Sequence, residues 1–101
     1  MGKTIRWGRF EWDEEKSVLN KKLHCLAFKE ATEAFGDPDR VIAINERHSQ
    51  EEQRFYLMGL VAGKVATIRF TYRIPYVRLI GAGYWRKGRK LYEKEKKNRL
   101  R

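Results

Sequence analysis

Residues 54–73 run Arg54-Phe55-Tyr56-Leu57-Met58-Gly59-Leu60-Val61, then Ala62-Gly63, then Lys64-Val65-Ala66-Thr67-Ile68-Arg69-Phe70-Thr71-Tyr72-Arg73. Two long runs rich in β-branched and aromatic residues flank a two-residue turn, which predicts a tight β-hairpin of Arg54–Val61 and Lys64–Tyr72. Successive strand residues alternate faces. Ile68, Phe70 and Tyr72 are therefore expected to pack inward, with Arg69, Thr71 and Arg73 on the other side. Pro75 interrupts before a third long strand over Tyr76–Ala82, and Val41–Ile44 is a short β-branched fourth.

Upstream of the hairpin the pattern is helical. Phe10-Glu11-Trp12 reads as a brief strand, and Asp13 offers a helix N-cap with Glu14 and Glu15 in the first turn, where the helix dipole favours anions. The run from Glu14 to about His24 has neither Gly nor Pro, and its few apolar residues are Val18, Leu19 and Leu23. Phe28, Ala31, Ala34 and Phe35 have helical spacing, which predicts a second short helix over 28–35. Gly36-Asp37-Pro38-Asp39 stops it. Arg86 to about Lys97 forms a last, strongly basic helix. Residues 1–9 are a basic lead-in and 98–101 are expected to fray. The order β-α-α-β-β-β-β-α predicts a single α+β domain over 1–101, with an antiparallel sheet of three to four strands.

Charge narrows the class of partner. The 101 residues carry 23 Lys+Arg and 13 Asp+Glu, a net charge of +10. Residues 10–53 hold 6 basic and 11 acidic residues, whereas residues 54–101 hold 14 basic and 2 acidic. So lopsided a field points to a polyanion, most simply nucleic acid. An acidic partner protein would feel it too, and a solubilising surface is the plainer alternative. Residues 54–85 contain five basic residues and no acid. Their arginines either pair with loop acids such as Glu46, Glu51 and Glu52, or hold a phosphate, which fits the guanidinium fork.

Other chemistries find little support. The single cysteine, Cys25, cannot form an internal disulfide, and no second Cys supports a thiolate zinc site. Adjacent helical residues do not face each other, so His24 and Cys25 make no catalytic pair. Two separated histidines, His24 and His48, make no metal site, and Lys64 lies in no phosphate-loop motif. No cofactor is expected. No apolar run approaches a membrane span and no secretory leader opens the chain, so the cytosol is the expected compartment. His24 follows Lys21 and Lys22, and a proton donor or acceptor beside cations suits phosphodiester chemistry.

The motifs resemble a family. Phe10-Glu11-Trp12-Asp13, Lys16, Asn20, His24, Phe28 and Glu30-Ala31 resemble the N-terminal signature of BrnT toxins, F-E-W-D-x-x-K-x-x-x-N-x-x-K-H-G-x-x-F-x-E-A. Phe35-Gly36-Asp37-Pro38 is similar to its F-x-D-P stop, and Arg54 to Gly59 to its R-[WY]-x-x-[IM]-G strand. Arg73 with Arg78-Leu79-Ile80-Gly81-Ala82 resembles its R…R-I-I-S-A-R segment, and Tyr92 falls on the closing helix. The resemblance covers about residues 10–93. It implies a RelE-like fold: a short N-terminal strand, two helices, an antiparallel sheet and a C-terminal basic helix. It also implies a type II toxin that cleaves RNA without a metal, using the RNA's own 2′-hydroxyl. The implied partner is a BrnA-type antitoxin, through which the complex binds operator DNA.

On that reading Arg54, Arg73 and Arg78 contact the phosphate, and His24 or Lys22 moves the proton. Arg69, Arg86, Lys87, Arg89 and Lys90 bind RNA, and Tyr92 stacks or orients a base. Trp7, Tyr84 and Trp85 are candidate anchors for the antitoxin. The chain departs from the pattern at Leu23-His24-Cys25 for K-H-G, at Gly81 and Gly83 for the serine and arginine of S-A-R, and at Gly88 for the last helix's acid. Lys22 and Arg86 are the nearest substitutes. The alternative is a catalytically weakened relative that binds antitoxin or nucleic acid without cleaving.

Overall fold

The structure is a computed structural model describing residues 2–46 and 52–100; His48 and Glu51 lie outside the described residues. The elements are β1 (Thr4–Trp7), β2 (Phe10–Asp13), α1 (Glu14–His24), α2 (Phe28–Ala31), a 3-10 turn (Thr32–Gly36), β3 (Val41–Ile44), β4 (Arg54–Val61), β5 (Lys64–Arg73), β6 (Tyr76–Gly83) and α3 (Arg86–Arg99). One sheet takes the order β1-β2-β6-β5-β4-β3. All neighbours are antiparallel except β2 and β6, which run parallel.

The α+β class and the central hairpin agree with the sequence reading. The sheet is larger than expected, with six strands and a mixed topology. The supposed lead-in supplies β1, because Thr4 to Trp7 pairs back onto Asp13 to Phe10 as a hairpin. The second helix is one α-turn followed by a 3-10 turn. The last helix continues to Arg99, so residues 98 and 99 are helical rather than frayed.

Leu57, Ile68, Phe70, Leu79 and Ala82 share one sheet face and pack with Leu26, Phe28, Ala31 and Ala34 to form the core. Phe28 has no exposed surface, and emptying such a site costs about 3–5 kcal/mol. That is a large share of the roughly 5–15 kcal/mol that holds a domain folded. Tyr72, expected inward, is half exposed at the sheet's end, as are Val18, Leu19 and Leu23 on α1.

Two buried polar side chains complete the sheet where strands run out. β2 pairs with β6 only at Val77 and Arg78. Farther along, Asn20 on α1 donates Nδ2–H to the Ala82 carbonyl at 2.8 Å and accepts the Ala82 N–H through Oδ1 at 3.3 Å. Val41 is the last β3 residue to pair, opposite Met58. Beyond it the Leu60 N–H donates to Asp37 Oδ2 at 2.9 Å, and the Tyr92 hydroxyl of α3 donates to the same oxygen at 2.7 Å. The Asp39 N–H donates to Oδ1 at 2.8 Å. Burial alone would raise the Asp37 pKa. The donors outweigh it and hold this carboxyl below its usual range. Burial and the Asp37 carboxylate together push the Tyr92 hydroxyl far up.

Asp13 caps α1 by accepting the Lys16 N–H, and α1 ends at Cys25, whose φ of 60° is left-handed. Cys25 N–H donates to the Lys21 carbonyl there at 2.9 Å. A β-carbon in that region costs roughly 1–2 kcal/mol, which is why glycine is the usual residue. Cys25→Gly is therefore expected to stabilise the protein by about 0.5–1 kcal/mol, allowing for glycine's greater unfolded freedom. A raised urea midpoint at unchanged slope checks this.

Tyr92→Phe is expected to cost about 1.5–3 kcal/mol in urea denaturation, since it removes a buried hydrogen bond to a charged group. Asp37's depressed folded pKa makes its contribution full above the unfolded value near 4 and lost as pH falls through the folded value. Tyr92's raised pKa adds stability that is full below about pH 10 and is lost as pH rises toward its folded value. Unfolding followed against pH should show a smaller loss at both ends in Tyr92→Phe than in the parent.

Candidate nucleic-acid interface

The sheet face opposite α2 carries the basic residues. Strand pairing sets Arg6, Glu11, Arg78, Thr71 and Arg54 side by side across β1, β2, β6, β5 and β4. Paired residues point to the same face, so these five side chains form one row. The next row holds Tyr56, Arg69 and Gly81, and the one after it Met58, Thr67 and Gly83. α3 lies across that last row; in the arginine row Thr71 and Glu11 are buried and Arg54 and Arg78 are half-buried.

Two carboxylates organise the guanidiniums. Glu11 is buried and bridges two of them, accepting from Arg6 Nε at 3.2 Å and Arg78 Nη1 at 3.1 Å. Arg6 also lies over the Tyr76 ring, 4.6 Å from its centroid. Glu52 accepts from Arg73 Nη2 at 3.1 Å and stands 3.9 Å from Arg54 Nη2. The Arg73 hydrogen bonds hold Glu52 below the ordinary carboxylate range, and Glu52 in turn raises Arg73. Among the described residues, Glu11 thus pairs with Arg6 and Arg78, and Glu52 with Arg73 and Arg54. Of the two sequence alternatives, pairing with a loop acid holds for Arg73 and Arg54, which meet Glu52.

The remaining site candidates divide by location. Arg73 lies beyond the row at the sheet's end, half exposed. His24 packs edge-on against Trp85, ring centroids 5.2 Å apart. Trp85, Arg69 and Lys87 line one cavity beside α3. Lys22 is elsewhere, in a shallow groove with Gly2, Lys3 and Glu15. Arg89 lines a third groove with Leu60 and Lys96. Arg86 and Lys90 are exposed. Tyr92 is only 3% exposed and spends its hydroxyl on Asp37, so it offers no face to a base; its role is to dock α3. The first turn of α3 has no acidic residue and no side-chain cap at Trp85. Cations at a helix N-terminus are unfavourable, and an anion there relieves them.

Glu11 was not singled out by sequence reasoning. The alternation of Phe10-Glu11-Trp12 does set it opposite two core aromatics. What links it to Arg78 is the parallel pairing of β2 with β6, which local pattern does not reveal.

The glycines at 81, 83 and 88 make room for neighbours. A β-carbon at 81 would overlap the Arg69 guanidinium, 2.8 Å from Nε. One at 83 would come 2.7 Å from the Trp85 ring, and one at 88 would overlap Thr67 Oγ1. Arg69, Trp85 and Thr67 thus fill the space that longer residues at these positions would need.

A family model described as a ribonuclease toxin, BrnT, of type II toxin–antitoxin systems matches residues 12–88. No curated protein matches the chain. Among the described residues, no helix is long and apolar enough to cross a membrane.

Gly88→Ala gains helix propensity worth about 0.5–1 kcal/mol, but it drives a methyl into Thr67 in a packed contact where strain costs roughly 1–3 kcal/mol. The expected outcome is net destabilisation of about 1 kcal/mol, partly relieved by adding Thr67→Ala. Thermal unfolding of the two variants checks it.

Proposed function

Since the chain belongs to the BrnT family of ribonuclease toxins of type II toxin–antitoxin systems, we propose that it cleaves RNA on the open sheet face, without a metal ion, through its arginine row. The observation that supports this reading is the line Arg78–Thr71–Arg54, which sets two half-buried guanidiniums in one row on either side of a buried threonine. A phosphodiester laid across it meets two guanidiniums from different strands. The same positive charge repels a divalent cation.

In this mechanism the 2′-hydroxyl oxygen attacks the adjacent phosphorus and the bond to the 5′-oxygen breaks. The products are a 2′,3′-cyclic phosphate and a free 5′-hydroxyl. Arg54 and Arg78 neutralise the charge that builds on the non-bridging oxygens, with Arg73 at the flank. Glu11 and Glu52 act as positioning residues, since each fixes a guanidinium before substrate arrives. One proton leaves the 2′-oxygen and one reaches the 5′-oxygen. His24, packed on Trp85, and Lys22, in its separate groove, are the candidates to carry one. Arg86, Lys87, Arg89 and Lys90 extend the backbone contacts, and Arg69 binds RNA in the row beside them.

A toxin of this class acts on RNA and has a cognate antitoxin. The reading makes that antitoxin a BrnA-type protein that covers the Arg54–Arg78 face and carries the complex to operator DNA in the cytoplasm. Trp85, 38% exposed, is its apolar anchor on that face, and Trp7 and Tyr84 are anchors for a segment that reaches round to the helix side.

Purified protein is expected to cut labelled RNA equally with and without chelator, leaving cyclic-phosphate ends. Arg54→Ala should slow cleavage by ~10²–10³. Arg78→Ala should do the same, although it also takes from Glu11 one of its two guanidinium partners. RNA affinity should fall with salt, with a log–log slope of about −0.7 per phosphate neutralised. Binding without cleavage would favour the weakened-relative alternative, and cleavage abolished by chelator would reject the metal-free step.

A further inference from the structure

Beside the arginine row lies a cavity of about 490 Å³, within the roughly 300–1,000 Å³ of small-ligand sites. Its walls are Trp85, Tyr56, Met58 and Leu91, and Thr67 and Arg69 supply its polar groups. We propose that this cavity binds one guanine base of the RNA, read by the Arg69 guanidinium. The inference rests on the ribonuclease reading and adds a base preference to it.

Three observations support a base and, among bases, guanine. First, the polar groups lack partners. Arg69 Nε and Thr67 Oγ1 are buried without a hydrogen-bond partner among the described residues. A buried donor or acceptor left unmade costs about 1–3 kcal/mol. Arg54, Arg73 and Arg78 each have a carboxylate within 4 Å, whereas Arg69 has none among the described residues.

Second, the walls are aromatic and apolar. They suit the faces of a nucleobase, which stacks on indole and phenol rings, and they suit a phosphate poorly. Third, the guanidinium lies against Gly81, which has no side chain to displace it. Turned from that glycine into the cavity, its fork meets two acceptors in one plane. Guanine presents O6 and N7 as such a pair, whereas adenine presents one acceptor and one donor.

The location agrees with the reaction. Arg69 is two residues from Thr71 on the same strand face, about 7 Å along β5. A base in the cavity therefore sits one row from the phosphate held between Arg78 and Arg54. Lys87, at the start of α3, lines the same cavity and offers a cation to the neighbouring phosphate.

The test uses the full chain and uncleavable 2′-O-methyl oligouridines that carry one central guanosine, adenosine or 7-deazaguanosine, with binding read by fluorescence anisotropy. The guanosine oligonucleotide is expected to bind at least about tenfold more tightly than the adenosine one, in line with a bidentate arginine contact. The 7-deaza form, which lacks the N7 acceptor, should lose most of that advantage. Arg69→Lys keeps the charge and loses the fork, and should reduce the guanosine preference to less than about threefold. Thr67→Val, nearly the same shape, should reduce it partially. Equal binding of guanosine and adenosine by the parent overturns the proposal. So does a preference that survives in Arg69→Lys, or an equal loss for all oligonucleotides, which would make Arg69 a phosphate contact. Guanosine-selective binding by a protein that leaves ordinary RNA intact would uphold the pocket and reject the ribonuclease reading. Cleavage with no base preference would do the opposite.

Discussion

The Asp37 carboxylate is the contact on which the arrangement of the open face depends. It accepts the Leu60 N–H beyond the end of β3, the Asp39 N–H of its own turn and the Tyr92 hydroxyl of α3. Three parts of the chain that share no backbone ladder are thus joined at one charged group. A carboxylate this buried is costly to desolvate, and only several donors at once make it favourable. Once Tyr92 is held there, Gly88 comes to rest on Thr67 and α3 covers one end of the sheet. The helix leaves the other end to the arginine row, where Arg54 and Arg78 are half-buried.

Asn20 does for β6 what Asp37 does for β4. It gives both an acceptor and a donor to Ala82, so an inner strand that outruns its neighbour keeps its backbone groups paired. α1 is thereby attached through its polar stripe, and its apolar side chains Val18, Leu19 and Leu23 are left outside. The helix contributes little to the core. It ends with His24 against Trp85, at the edge of the cavity.

The basic face carries fixed charge. Glu11 and Glu52 restrain guanidiniums that would otherwise repel one another, in a chain whose net charge is +10. Such pre-positioned charge suits phosphoryl chemistry, where little covalent work falls to the protein and much depends on where charge is held when the transition state forms. Among the described residues Arg69 has no carboxylate partner, and its neighbours Trp85 and Tyr56 are aromatic. Guanidiniums and ring surface thus occupy adjacent rows of one sheet.

Much of this was legible in the sequence, because local physics decides it. The hairpin of β4 and β5 follows from alternation around Ala62-Gly63, the α1 N-terminus from Asp13, and the basic second half from counting charges. The resemblance carried by Phe10 to Ala31 pointed to the family that residues 12–88 match. The tertiary structure decided the rest. Thr4 to Trp7 is a strand only because β2 offers an edge, and Glu11 reaches Arg78 only because β2 and β6 run parallel across more than sixty residues of chain. Tyr92 sits where a base-stacking residue was expected and is instead committed to Asp37. The substitutions to glycine at 81, 83 and 88 read as losses along the chain, yet in space each is filled by a side chain from elsewhere. Propensity and charge act between near neighbours and can be read in order, whereas register, burial and the sharing of space depend on which distant segments the fold sets side by side.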